Sequence, residues 1–299
     1  MKYFIAFILM IVSLEFVTPT FVMGREIEPI VSVDWLEKNL KNPELVVIDV
    51  RKVEDYSTGH IPGALNIFYK VLTPGGHTLR NELPWEDDLR DVLTSGGIGS
   101  DSLVVVVGDC DWVCGRFIMT RIAMTIMYAG LPNVAVLDGG MNKWAATGKA
   151  ISKEVVKRKP REYKGEFRKD MFIKKIDVAA GIDKNMIIVD AREPEFYKGT
   201  KKLNLVARPG RIKGAVNMPV CSLLFEKSGA YKSITELRKL IVKTVGEDLD
   251  RKIVLYCDTG MEATGLWFLM TQVFGYRDVK VYDGSCQEWA DDQYMPMEK

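Results

Sequence analysis

Five cysteines and two histidines in 299 residues are few enough for each to be weighed separately, and the most informative is Cys257. It follows the apolar run Ile253-Val254-Leu255-Tyr256 and opens the segment Cys257-Asp258-Thr259-Gly260-Met261-Glu262. Beyond that segment, apolar residues recur at helical spacing from Ala263 to Phe274. A cysteine at a strand end, on a tight glycine-containing loop at a helix N-terminus, has its thiolate favoured by the helix dipole and by nearby backbone N–H donors. The same ring of N–H groups can cradle a terminal sulfur or an oxyanion developing on a substrate. Cys257 is therefore the candidate nucleophile, and Asp258, Thr259, Gly260, Met261 and Glu262 form the candidate substrate-binding loop. An isolated strand-end cysteine would read as a buried structural residue. A loop beyond the carboxyl end of a parallel strand, where α/β sheets bind ligands, reverses that preference.

The remaining cysteines leave alternatives open. Cys110 and Cys114 form a C-x3-C pair, a spacing that can close a small disulfide ring but does not reproduce the redox C-x-x-C motif. Cys221 follows Asn217-Met218-Pro219, and Cys286 follows Asp283-Gly284-Ser285. Either can act as a resolving thiol toward Cys257, they can pair with each other, or they are unconnected small residues in half-buried loops. Dispersed cysteines define no metal geometry, so no metal site is assigned. His60 in His60-Ile61-Pro62-Gly63 reads as a structural turn, and His77 as part of a loop after Thr73-Pro74-Gly75-Gly76. Trp112, Trp267 and Met270 read as core or pocket cover.

The elements that must position these residues come in two similar sets. Leu45-Val46-Val47-Ile48-Asp49-Val50-Arg51 followed by His60-Ile61-Pro62-Gly63-Ala64-Leu65-Asn66 recurs as Met186-Ile187-Ile188-Val189-Asp190-Ala191-Arg192 followed by Arg211-Ile212-Lys213-Gly214-Ala215-Val216-Asn217. Val136-Leu137-Asp138-Gly139-Gly140 with Trp144 recurs as Val281-Tyr282-Asp283-Gly284-Ser285 with Trp289. Self-similarity of this length marks a duplicated unit. Leu103 to Val107 and Ile253 to Tyr256 read as central strands buried on both faces, each followed by a helix, Arg116 to Ala129 and Ala263 to Phe274. Strand, loop, helix, strand implies parallel sheets with right-handed crossovers. The expected architecture is thus α/β, with two tandem domains, each a mostly parallel central sheet flanked by helices: 25–150 and 171–299, joined by a solvated, charge-rich linker at 151–170. Aligning the strands of the two halves sets Asp109, not a thiol, against Cys257. The repeated pairs Asp49/Arg51 and Asp190/Arg192 read as buried ion pairs that tie each domain's own loops together.

Composition narrows the class of function. With 47% hydrophobic, 10% aromatic and 27% charged residues, the chain is neither disordered nor polytopic. Lys+Arg 41 against Asp+Glu 40 leaves a net charge of +1, so no global field draws it to nucleic acid, and a small-molecule partner is expected. Met1, Lys2 and the apolar run Tyr3 to Leu14, with small or medium residues at Val22 and Gly24, read as an export signal cleaved after Gly24. The run is shorter than the ~20 residues needed to span a bilayer, so no stable membrane span is expected after cleavage. The mature chain would begin near Arg25 in a periplasmic or secreted setting, where thiols can pair.

On these residues the chain resembles a tandem-domain rhodanese, the thiosulfate or 3-mercaptopyruvate sulfurtransferase type. The resemblance rests on Ile48-Asp49-Val50-Arg51 with Gly59 to Ala64, Val189-Asp190-Ala191-Arg192 with Gly210 to Asn217, Cys257 to Glu262, and Tyr282 to Ser285 with Trp289. It implies that Cys257 takes a sulfane sulfur from thiosulfate, 3-mercaptopyruvate or a polysulfide, becomes a persulfide, and passes the sulfur to a thiol or cyanide by double displacement. No cofactor is implied. It also implies an inactive N-terminal domain, and places Cys286 near the active cysteine. Thiosulfate-preferring members carry Arg and Lys in the active loop, whereas here Asp258 and Glu262 oppose thiolate formation and an anionic donor. The donor-binding arginine expected four residues beyond Arg192 is replaced by Phe196, and Arg208 and Arg211 are the candidate substitutes. Two competing readings differ in class. A phosphatase on the same fold needs an arginine six positions after its cysteine, and Ala263 stands there, leaving a phosphoryl group without a bidentate partner. A non-catalytic rhodanese-like subunit or binding partner of an exported redox complex is the alternative that the acidic loop favours.

Overall fold

The computed structural model describes residues 25–76, 79–110, 113–182 and 184–299, apart from the side chains at 113 and 114. The leader read at residues 1–24, His77, Trp112 and the Cys114 side chain of the C-x3-C pair lie outside them. Among the described residues no helix is long and apolar enough to cross a membrane.

The first half contributes β1 (Ile30–Val31), β2 (Leu45–Asp49), β3 (Leu65–Asn66), β4 (Leu103–Val107) and β5 (Val134–Leu137), in the order β1-β5-β4-β2-β3 with every pairing parallel. The second contributes β6 (Ile187–Asp190), β7 (Arg211–Ile212), β8 (Val216–Asn217), β9 (Ile253–Tyr256), β10 (Val279–Val281) and β11 (Met297–Glu298). Its main sheet, β10-β9-β6-β8, is again parallel throughout. A parallel bridge from Phe172 to Val281 stands where β1 lies in the first half. The two sheets thus repeat one plan, as the duplicated sequence implied. An antiparallel β7–β11 pair, which the sequence did not announce, folds the C-terminus back onto the Arg211 segment.

Alternation along the strands explains the layers, because successive side chains point to opposite faces. Val46, Ile48, Val104, Val106, Val134 and Val136 face inward, into a core that also receives Val189, Ile253 and Leu255 from the second sheet. Leu45, Val47, Leu103, Val105 and Val107 face outward into a core closed by Trp144, and Ile188, Val254 and Tyr256 into one closed by Trp289. The inner core joins the halves through the helix Val113–Tyr128 and the helix Ala263–Phe268, which pack against each other. The latter continues as a π turn, Leu269–Val273, so the expected helix to Phe274 is right in extent but not regular. Along 151–170 most residues are exposed, but Tyr163 is buried and its hydroxyl donates to the Ala129 carbonyl at 2.9 Å.

Candidate active site

Strand parity decides where Cys257 points. Ile253 and Leu255 face the inner core, and Cys257, the next residue in that register, joins the same cluster at 1% exposure. The segment from Ser285 to Gln287 holds the loop from behind. Cys286 N–H donates to the Cys257 carbonyl at 3.0 Å, Gln287 N–H to the Asp258 carbonyl at 3.0 Å, and Cys257 N–H to Ser285 Oγ at 3.2 Å. Ser285 is fully buried with φ of 51°, in the left-handed region, and its hydroxyl donates to the Tyr282 carbonyl at 2.9 Å. Gly260 is also left-handed, φ 75°, and a Cβ there would collide with the Asp283 carboxylate. Only glycine fits, so this residue fixes the tightness of the loop.

The electrostatics of the loop are acidic and graded. Burial pushes the Cys257 thiol up to about 12, with the Glu262 and Asp258 carboxylates adding to it; the backbone N–H groups of Ala263 and Thr259 pull the other way. The stabilisation of the thiolate expected from the loop amides is thus outweighed in the resting site by desolvation. Glu262 rises to about 7, chiefly through burial and then the nearby Asp258 charge, while Cys221 opposes the rise as a donor to Glu262 Oε1 at 3.7 Å. Asp258 is raised by burial and eased by Arg192, whose Nη1 donates to Oδ1 at 3.2 Å. Arg192 also clamps Asp190 through Nε and Nη2 and donates to the Gly210 carbonyl at 2.8 Å. The Asp190/Arg192 pair is therefore structural as read, with an additional bond to the active loop that the sequence reading missed.

The first half builds part of this site. Arg121, fully buried on the helix Val113–Tyr128, reaches across to Asp283, with Nη2 at 3.0 Å from Oδ2, and donates to the Gly260 carbonyl at 3.5 Å and to the Asn81 carbonyl. Asn81 donates from its side-chain amide to Thr259 Oγ1 at 2.9 Å, and Arg80 N–H donates to Gln287 Oε1 at 3.1 Å. One signal could have found Asp283. Its repeat partner Asp138 also crosses between halves, accepting from Tyr231 N–H at 3.0 Å.

Other expectations resolve by geometry. Arg208 donates to the carbonyls of Trp289, Ala290, Asp292 and Met295, and Arg211 lies over the Tyr197 ring and pairs with Glu298 at 3.4 Å. Both hold the C-terminal segment, so neither replaces the arginine missing at Phe196, which instead lies under Lys201. His60 is structural: buried, stacked on Tyr56, with each ring nitrogen about 3 Å from a main-chain carbonyl. Cys286 packs in the outer core beside Trp289, whereas Cys221 packs against the inner core that holds Cys257. The strand register corrects one alignment. Asp49 pairs with Val107 and Asp190 with Tyr256, so Gly108 is the counterpart of Cys257, and Asp109 of Asp258. There the first half keeps a cavity of about 90 Å³ lined by Arg51, Tyr69, Gly108 and Asp109. A larger cleft of about 680 Å³, among Leu249, Trp267, Gly275 and Asp278, lies at the amino ends of β9 and β10, away from Cys257.

Comparison with known proteins shows the family. Residues 32–147 and 176–292 each match the family described as Rhodanese-like domain. A Thermus thermophilus protein named sulfur carrier protein TtuD is 30% identical over 91% of this chain and 97% of its own length. A Mycolicibacterium smegmatis protein provisionally named a thiosulfate sulfurtransferase is 32% identical over 90% of this chain and 97% of its own. Among solved structures, EanB carrying a cysteine persulfide, with ergothioneine, aligns with a TM-score of 0.78 and 25% identity over 91% of this chain and 70% of that one.

Proposed function

The chain belongs to the rhodanese family, with two such domains, and from that premise we propose that it moves a sulfane sulfur from a small donor, through a persulfide on Cys257, to a thiol or cyanide acceptor. One observation carries the reading: Cys257 alone of the described cysteines directly follows a central strand, on the tight Gly260 turn that leads into the helix Ala263–Phe268. A persulfide is a better anion than the thiol that bears it, so the backbone N–H groups of Thr259 and Ala263 act on the outer sulfur once it is loaded. The Gly260 turn keeps them in place. The relative named as a sulfur carrier and the persulfide in EanB support the same chemistry.

Charge selects the donor. The carboxylates acting on Cys257 are Glu262 and Asp258, while two cations beside the loop are engaged elsewhere, Arg192 by Asp190, Asp258 and Gly210 and Arg121 by Asp283 and Asn81. A dianion such as thiosulfate meets like charge, whereas singly charged hydropolysulfide, whose sulfur Cys257 attacks, and 3-mercaptopyruvate meet less. The expected order of loading is polysulfide and 3-mercaptopyruvate ahead of thiosulfate. Intact mass after incubation with each donor, then with cyanide, tests it. A gain of one sulfur that cyanide removes, and that Cys257→Ser abolishes, supports transfer; a Cys257 that no donor loads returns the chain to the alternative, a non-catalytic rhodanese-like partner, which the raised thiol favours. The leader at 1–24 adds export to the proposal, and N-terminal sequencing of a secreted chain beginning at Arg25 checks it.

A further inference from the structure

Cys257 is buried at 1% exposure, yet in the proposed reaction its sulfur must leave. Nucleophilic transfer needs the acceptor within about 3–3.5 Å and in line with the breaking bond, and a sulfur at 1% exposure offers that approach only to small acceptors. Cys221, on the short helix Val220–Leu223, is half-buried and packs on the edge of the same core. The two cysteines are linked by one carboxylate: Glu262 Oε1 accepts from Cys221 Sγ at 3.7 Å, and Glu262 is the charge that acts most on Cys257. Cys286, the other described thiol close to the loop, faces the outer core on the far side of the sheet.

We propose that Cys221 is a second sulfur station, which takes the sulfane sulfur from the Cys257 persulfide and presents it to acceptors too large to reach Cys257. This rests on the sulfurtransferase reading above. The Cys221 S–H gives its proton to the Glu262 carboxylate, and the Cys221 thiolate attacks the outer sulfur, which stands about 2 Å beyond Cys257 Sγ. A new S–S bond forms on Cys221 as the bond to Cys257 breaks, and Cys257 departs as a thiolate toward the N–H groups of Thr259 and Ala263. The proton on Glu262 then returns to that thiolate. The sulfane sulfur keeps its oxidation state, so no oxidant or reductant is consumed.

The test loads the full chain with inorganic polysulfide, desalts it, and maps persulfides by alkylation and peptide mass at successive times. Sulfur is expected first on Cys257 and then on Cys221 as well. Cys221→Ser and Cys221→Ala should both leave it on Cys257 and lower transfer to glutathione, relative to transfer to cyanide, by about tenfold or more. Glu262→Gln should slow the appearance of sulfur on Cys221, and Cys286→Ala should leave the distribution as in the parent chain. Sulfur that loads Cys257 but never reaches Cys221, or a glutathione-to-cyanide ratio unmoved in both Cys221 variants, overturns this proposal and leaves the sulfurtransferase reading standing. A chain in which Cys257 never loads overturns both.

Discussion

The loops after β4 and β9 hang from the same plan and do different things. Both begin one residue past the strand, and in both a conserved geometry of arginine and aspartate lies beneath: Arg51 holds Asp49 and approaches Asp109 at 4.0 Å, while Arg192 holds Asp190 and Asp258. The difference lies in the two residues that meet across the sheet end. Where the second half has Cys257 over Ser285, the first has Gly108 over Gly140. Gly140 shares the left-handed backbone of Ser285, φ 56°, but a Cβ there would run into the Gly108 carbonyl. The first half therefore cannot build the hydroxyl that receives Cys257 N–H, and it lacks the thiol above it. It does supply Arg121 and Asn81 to the other site.

The strongest way to break this contrast is to move the thiol. Cys257→Ser should lower persulfide loading by about a thousandfold or more, the scale on which nucleophile removal acts. Adding Gly108→Cys to that variant should not restore it, as read by cyanide-removable mass. Recovery would mean that the Gly140 backbone and the Asp109 loop suffice, and the two halves differ by one side chain. Next comes the arginine. Arg192→Met strands Asp190 and Asp258, both nearly buried, and should cost about 3–5 kcal/mol in urea unfolding. Arg51→Met should cost less, because the Asp109 side chain is 31% exposed against 10% for Asp258. Equal losses would show that the second arginine serves only its own domain's frame.

Much of this was readable beforehand. The duplicated Asp-x-Arg and Asp-Gly segments and the central strands Leu103–Val107 and Ile253–Tyr256 follow from local pattern. What was not readable depends on register and on contacts across the chain. Setting Asp109 against Cys257 is a slip of one position: the last residues of β4 and β9, Val107 and Tyr256, pair with Asp49 and Asp190, which puts Gly108 opposite Cys257. Arg121 sits in the middle of an apolar helix with nothing local to show its target, and Asn81 lies in an irregular loop, so neither could be tied to Gly260 or Thr259 from sequence. Arg208 and Arg211 misled for the same reason. Their basic segment is covered by the C-terminus, whose β11 is only two residues long.

The acidic loop gives a contrast in pH. Glu262 is raised from an ordinary 4.5 to about 7, so the folded chain holds its proton more firmly than the unfolded chain does. Between those values the folded state binds more protons, and stability therefore falls as pH rises through the window. The full cost, on the order of 3 kcal/mol, is present above about pH 7 and absent below about pH 4.5. Glu262→Gln should match the parent chain in thermal melting at about pH 4 and exceed it at about pH 8. It should also move the onset of Cys257 loading to lower pH, since Glu262 helps hold that thiol up. A melting difference independent of pH would show that the carboxylate is solvated and that the loop is not set apart from its first-half counterpart by charge.

The smallest effect expected is at Thr259, where the first half touches the loop directly. Its hydroxyl accepts from Asn81 at 2.9 Å, while its backbone N–H is one of the two that act to lower the raised Cys257 thiol. Thr259→Val keeps the backbone and the side-chain volume and removes the acceptor, so it should cost about 1 kcal/mol, the net worth of one neutral hydrogen bond. If that bond only joins the domains, the loss should appear in unfolding and leave loading of Cys257 by polysulfide at its parent rate. If it also aims the Thr259 N–H, loading should slow by up to about tenfold, because that energy is then withdrawn from the loaded state as well. The second outcome is expected, since Asn81, Arg121 and Gly260 hold a single turn of backbone from three sides. An unchanged loading rate would reduce the first half to a scaffold that the site touches without needing.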